Sequence, residues 1–270
     1  MNRIDVRFAS LKKNKEKALV GFVSAGDPSL PDSLELLAAM CGAGLDILEL
    51  GVPFSDPTAD GPVIQRASAR ALKNGATLAG AIETAAALRK RTDIPIILFS
   101  YYNPIFAYGP GTFYRDSVAA GADGVLVVDL PHEETGELTD CWGKDEGFAL
   151  IRLVAPTTPK ERMKKIAEQA SGFLYLISKT GVTGSAGLDV EEIRRHVDEL
   201  RSVATIPICV GFGITSPADA RALAPHVDGV VIGSAFERTI EENLGSPHLV
   251  KRLEEQVRAY KAALRAPLGR

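Results

Sequence analysis

At 270 residues, with 46% apolar and 24% charged side chains, the chain has the length and composition of a globular protein with a substantial core. Its net charge of −3 arises from 31 basic and 34 acidic residues scattered along the sequence, which leaves no electrostatic footprint for nucleic acid. No apolar run approaches the roughly 18 residues that span a bilayer. The three cysteines and four histidines show neither CxxC nor HxxxH spacing, so no metal site is expected.

The N-terminus places Lys12, Lys13, Lys15 and Lys17 ahead of the apolar run ALVGFVSAG at 18–26, a loose imitation of a secretory leader. The charged stretch is long, the apolar run is short, and Asp27 and Pro28 follow at once. Ile4, Phe8 and Leu11 also have helical spacing. The segment therefore reads as a short amphipathic helix and a first strand, in a soluble cytoplasmic protein. Cys41, Cys141 and Cys209 sit among apolar or small neighbours and are expected to be buried free thiols, as in a reducing compartment.

Strand-like apolar runs follow at 18–24, 46–51, 95–101, 124–129, 148–153, 173–178, 207–211 and 228–233. Helical patterns lie between them, among them Ser33–Cys41, Ala79–Arg89, Pro159–Glu168, Val190–Leu200 and Pro217–Leu223. Ser29 before Pro31, Thr158–Pro159 and Ser216–Pro217 are helix-start signals. This alternation implies βαβ units, and eight of them favour a closed (β/α)8 barrel in one domain, 1–270, over an open sheet. The first strand ends in Ser24-Ala25-Gly26-Asp27, which is not the glycine-rich fingerprint of an open dinucleotide-binding sheet. A loose internal repeat supports the barrel. Ile94-Pro95-Ile96 and Ile206-Pro207-Ile208 open two strands, and Asp123-Gly124 and Asp228-Gly229 open the strand after each, with Leu45-Asp46-Ile47 a weaker echo.

Within this frame the stretch LELGVPFSDPTADGP at 48–62 stands out. Glu49 interrupts a buried apolar strand, where a charge is expensive, so its pKa is expected to rise toward neutrality. Asp60 lies eleven residues later on a polar loop and should ionise more easily. Two carboxyls in contrasting surroundings can run acid and base chemistry at one pH. Alternatively, Glu49 ties down a helix end or an arginine and Asp60 caps the next helix. Two long glycine-bearing connections, 52–61 and 179–189, follow strand ends, where barrel active sites assemble, and the second has the glycines of a lid. Gly211-Phe212-Gly213 after strand seven and Gly233-Ser234 after strand eight suit a phosphate held by backbone N–H groups, without need of a basic residue. Ser234 as a simple N-cap is the other reading of that motif.

These residues resemble the tryptophan synthase alpha subunit family. The likeness runs through GFVSAGDP at 21–28, LELGVPFSDPTADGP, SYYNPIFAYG at 100–109, VVDLP at 127–131, YLISKTGVTG at 175–184 and GFGI at 211–214. The resemblance implies a TIM barrel that cleaves indole-3-glycerol phosphate to indole and D-glyceraldehyde 3-phosphate in tryptophan biosynthesis. It implies no cofactor in this chain, the pyridoxal phosphate belonging to a β subunit in an α2β2 tetramer. By the same likeness Glu49 is the general acid and base, Asp60 its partner at the indole nitrogen, and Tyr175 an accessory. Phe22 and Tyr102 would line the indole pocket, and Thr183, Gly184, Phe212, Gly213, Gly233 and Ser234 the lid and phosphate side. Loops 52–61 and 179–189 and Asn103–Ile105 would meet the β subunit. Thr58, where the family has a larger apolar residue, and His132, in place of a second proline, depart from its pattern. A stand-alone lyase, a regulatory sugar-phosphate-binding barrel and a sugar-phosphate isomerase are the competing readings.

Overall fold

The computed structural model describes residues 2–142, 147–177, 188–211 and 213–265. Eight strands form a closed barrel in chain order: β1 (Ala18–Ser24), β2 (Ile47–Gly51), β3 (Ile96–Ser100), β4 (Gly124–Val127), β5 (Ala149–Val154), β6 (Leu174–Ile177), β7 (Ile208–Gly211) and β8 (Gly229–Ile232). Every neighbouring pair is parallel, and β8 returns to β1. The helices outside the sheet are α1 (Arg3–Lys13), α2 (Leu30–Ala43), α3 (Pro62–Lys73), α4 (Leu78–Arg89), α5 (Tyr102–Tyr108), α6 (Pro110–Ala119), α7 (Gly136–Thr139), α8 (Lys160–Gln169), α9 (Val190–Arg201), α10 (Pro217–Leu223), α11 (Ser234–Glu242) and α12 (Leu249–Arg265). This is the expected (β/α)8 TIM barrel, and each strand lies within two residues of its sequence reading at either end.

The strands read as continuous apolar runs because both of their faces are buried. Val20, Ile47, Ile97, Leu126, Ile151 and Val231 fill the interior, while Leu19, Leu48, Leu98, Val125, Leu150 and Val230 pack against the helices. α1 closes the floor. Its buried face, Ile4, Phe8 and Leu11, belongs to the interior cluster, and the ring of Phe8 lies 5.8 Å from that of Phe173. The lysine-flanked N-terminal segment is thus a helix and a first strand, as its spacing suggested.

The internal repeat has a physical meaning at the same end of the barrel. The carboxylates of Asp46, Asp123 and Asp228 accept from the N–H of Leu19 (2.7 Å), Ile96 (2.9 Å) and Ile208 (2.9 Å). Each aspartate also returns its own N–H to the carbonyl of the same residue, at 2.9, 2.8 and 2.9 Å. An aspartate before β2, β4 and β8 therefore clasps the foot of the strand preceding it. Basic side chains complete the clasps: Lys261 on Asp46 at 2.7 Å, Arg89 and Arg3 on Asp123 at 2.7 and 2.9 Å, and Arg201 on Asp228 at 3.2 Å.

Two expectations are corrected. Cys41 and Cys209 are buried free thiols, but Cys141 is exposed, because its neighbour Trp142 takes the inward place and stacks on Tyr114 at 5.5 Å. Thr158 does not start the helix after β5: α8 is capped by Pro159, and the Thr158 hydroxyl instead accepts from the N–H of Ala155 at 3.2 Å.

Candidate active site

Glu49 shares the inward parity of Ile47 on β2, and lies in register between Phe22 of β1 and Ile97 of β3. Its side chain is fully enclosed, and neither carboxyl oxygen has a hydrogen-bond partner among the described residues. Burial pushes its pKa up to about 8, so the group is a neutral acid at pH 7. Among the described residues it ties down no helix end and no arginine.

Asp60 reaches the same space from the loop after β2. That loop is held by α3, whose Ser68 hydroxyl accepts from the Phe54 N–H at 2.9 Å and donates to the Phe54 carbonyl at 3.0 Å. From the far side the Tyr101 hydroxyl donates to Asp60 Oδ2 at 3.0 Å and accepts from the Ala59 N–H at 3.0 Å. Asp60 does not cap α3; Gly61 occupies that place, with no side-chain cap. Burial raises the Asp60 pKa to about 6, against the lowering effect of the Tyr101 hydrogen bond. Asp60 thus ionises more readily than Glu49, yet it is far less exposed to water than a polar loop residue would be. Thr58, nearby on the loop, is exposed, and the distant His132 is buried beside Glu133 at 3.0 Å.

Both carboxyls line one cavity of about 200 Å³ at the C-terminal mouth of the barrel. Phe22, Phe99, Val231 and Ile64 supply its apolar walls, and Tyr175 its base. Burial, and then the neighbouring Glu49 charge, push the Tyr175 phenol well above its ordinary value, so it remains protonated. Two glycines make room for these rings. A Cβ at Gly51 would lie 2.6 Å from Cζ of Phe22, and one at Gly211 would collide with the Tyr175 hydroxyl. Gly213, at φ +75°, Gly233 and Ser234 line the other side. Gly233, not Ser234, is the N-cap of α11, and no side chain caps the N–H groups of the first turn.

Of the residues singled out in the sequence, the structure brings together Glu49, Asp60, Tyr175, Phe22, Gly213, Gly233 and Ser234. It does not bring Tyr102, which opens α5 with its ring 6.0 Å from Phe106 and is absent from the cavity wall. Its neighbour Tyr101 takes the position on Asp60. Counting by two from the inward Ile97 and Phe99 along β3 points to residue 101, a signal the sequence carried. Phe99 follows from the same parity, and Arg238 from helical spacing after Ser234. Thr183, Gly184, Phe212 and residues 179–187 of the loop expected to form a lid lie outside the described residues. Among the described residues no cluster of three or more His, Cys, Asp or Glu could hold a metal ion, and no helix is long and apolar enough to cross a membrane.

Comparison with known proteins agrees with this geometry. The family model described as tryptophan synthase alpha chain matches residues 8–265. Tryptophan synthase alpha chains of Desulfosudis oleivorans and Desulfatibacillum aliphaticivorans are 61% and 56% identical, over 97% and 98% of this chain and 99% and 100% of theirs. A crystal structure of the alpha subunit from Legionella pneumophila superposes with a TM-score of 0.90 at 36% identity, covering 98% of both chains. Tryptophan synthase from M. tuberculosis in an aminoacrylate-bound form gives 0.88 at 30% identity, over 98% of this chain and all of that one. The chain belongs to the tryptophan synthase alpha chain family, carbon–carbon lyases of tryptophan biosynthesis that cleave indole-3-glycerol phosphate without a cofactor of their own.

Proposed function

We propose that Glu49 moves the protons and Asp60 stabilises the charge in the cleavage of indole-3-glycerol phosphate to indole and D-glyceraldehyde 3-phosphate. The reaction is a retro-aldol step. The neutral Glu49 carboxyl gives its proton to indole C3, and the resulting carboxylate takes the proton of the glycerol hydroxyl as the carbon–carbon bond breaks and the aldehyde forms. One group near neutrality serves both transfers. Protonation at C3 interrupts the aromatic ring and puts positive charge on it, and a fixed Asp60 carboxylate accepting the ring N–H lowers the energy of that state. The ring would lie among Phe22, Phe99 and Ile64, with Tyr175 accessory and Tyr101 holding Asp60. Gly213, Gly233 and Ser234 would bind the phosphate, together with Phe212, Thr183 and Gly184.

The observation that carries this reading is the meeting of two carboxyls in one apolar cavity, one unpartnered among the described residues and the other held by a tyrosine. We further propose that the chain, 1–270, works as one barrel unit in the cytoplasm, delivering indole to a β subunit within an α2β2 assembly. Loop 52–61, Asn103–Ile105 and loop 179–189 would form the contact. Asn103 is exposed there, and Phe106, one turn along, is 64% exposed. The test mixes the purified chain with indole-3-glycerol phosphate and follows indole, with and without a β subunit. Weak turnover, strongly raised by the β subunit and abolished in Glu49→Gln without loss of substrate binding, is the expected result. A Glu49→Gln chain that still turns over comparably would overturn the assignment, and high turnover without a partner would favour a stand-alone lyase.

A further inference from the structure

Arg238 is the sole basic side chain among the described residues that line the cavity. It follows Ser234 by four residues on α11, so the two lie on one helix face a single turn apart. The acids next to it in sequence are engaged elsewhere. Glu237 turns inward to accept the Ser24 N–H at 2.7 Å, and Glu241 is held by Arg66 at 2.6 Å and Arg70 at 3.0 Å. Among the described residues no hydrogen bond or ion pair engages the Arg238 guanidinium, which is exposed at the mouth.

The strand order β8–β1–β2 places this end of the cavity two strands, about 10 Å, from Glu49. The cavity is therefore polarised, with the Glu49 carboxyl on one side and a cation on the other. Backbone N–H groups shape an anion site, but they bring only about half a charge at a helix start, against nearly two on a phosphate. The Asp60 carboxylate, ionised at pH 7, would repel that dianion. We propose that Arg238 is a specificity-determining contact for the substrate's phosphate, closing on it over Ser234 and fixing which end of the substrate enters beside the acids. A guanidinium fork suits two phosphate oxygens at once. This rests on the phosphate end proposed above, and adds a charged contact to a site otherwise made of backbone.

The test uses the chain in complex with its β subunit and compares the parent with Arg238→Gln and Arg238→Lys. KM and kcat are measured for indole-3-glycerol phosphate, with inhibition constants for sn-glycerol 3-phosphate, the phosphorylated tail without the ring, and for indole, the ring without the tail. In Arg238→Gln, KM and the glycerol phosphate inhibition constant are expected to rise together, by roughly five- to tenfold at low salt, with kcat within twofold and indole inhibition unchanged. Arg238→Lys should recover most of the loss, and added salt should shrink the gap between parent and variant. If Arg238→Gln leaves both constants within twofold of the parent at low salt, the inference is overturned. If glycerol phosphate fails to inhibit the parent itself, the phosphate end is misplaced and the inference falls with it.

Discussion

A carboxyl enclosed by Phe22, Ile97 and the barrel core, with no donor among the described residues to satisfy it, persists as the neutral acid. Two consequences can be measured. With Glu49 active as the acid and Asp60 as the carboxylate, kcat/KM should be bell-shaped, falling below about 6 as Asp60 protonates and above about 8 as Glu49 ionises. Asp60→Asn should remove the acid limb while leaving weak turnover. The second consequence concerns stability. The folded chain keeps a Glu49 proton that the unfolded chain releases above its ordinary 4.5, so this group's contribution is full below 4.5 and drains away as pH rises toward 8. Glu49→Gln should therefore raise the thermal midpoint more at pH 8 than at pH 5. Tyr101→Phe removes the donor on Asp60, and should lower kcat/KM roughly tenfold and move the acid limb upward. Glu49 was legible as the one charge in an apolar run. Tyr101 was legible only by counting the strand parity of Ile97 and Phe99 one step further, since two adjacent tyrosines otherwise look alike.

Among elements, β2 and the loop after it place the two carboxyls of the proposed chemistry, and Gly51 at their junction admits the Phe22 ring. Gly51→Ala should push that ring into the cavity, destabilise the fold by about 1–3 kcal/mol and raise KM more than it lowers kcat, as read by denaturant titration and steady-state kinetics. The eight strands were legible because burial on both faces leaves an unbroken apolar signature. α3 was harder to read. Its buried positions, Ala67, Ser68 and Ala71, are small, so the 3.6-residue rhythm that marked Val190–Leu200 is faint there. The same smallness lets α3 approach closely enough for Ser68 to hold Phe54. The cap of α11 could be read two ways from Gly233-Ser234 alone, since only the backbone decides which of them is the first helical residue.

For the whole molecule, the proposed chemistry gathers at the strand ends and the aspartate clasps at their starts. Asp123 is nearly buried and serves a strand N–H, Arg3 and Arg89 together. Asp123→Ala would leave those groups unpaired, and should lower the unfolding free energy by about 3 kcal/mol while kcat at 25 °C stays within twofold. Loss of turnover at a temperature where circular dichroism still shows the fold would contradict that division of labour. The repeated aspartates were visible in the sequence as an Asp-Gly echo, but which groups they hold depends on register, and that forms only when the sheet closes.

The aspartate clasps also bear on how the chain is made. In each, the carboxylate lies only 27, 27 or 20 residues beyond the amide it holds. As the polypeptide leaves a ribosome, β1 with β2, β3 with β4 and β7 with β8 can each latch soon after the second member emerges, whereas the β8–β1 seam must wait until nearly the entire chain is free.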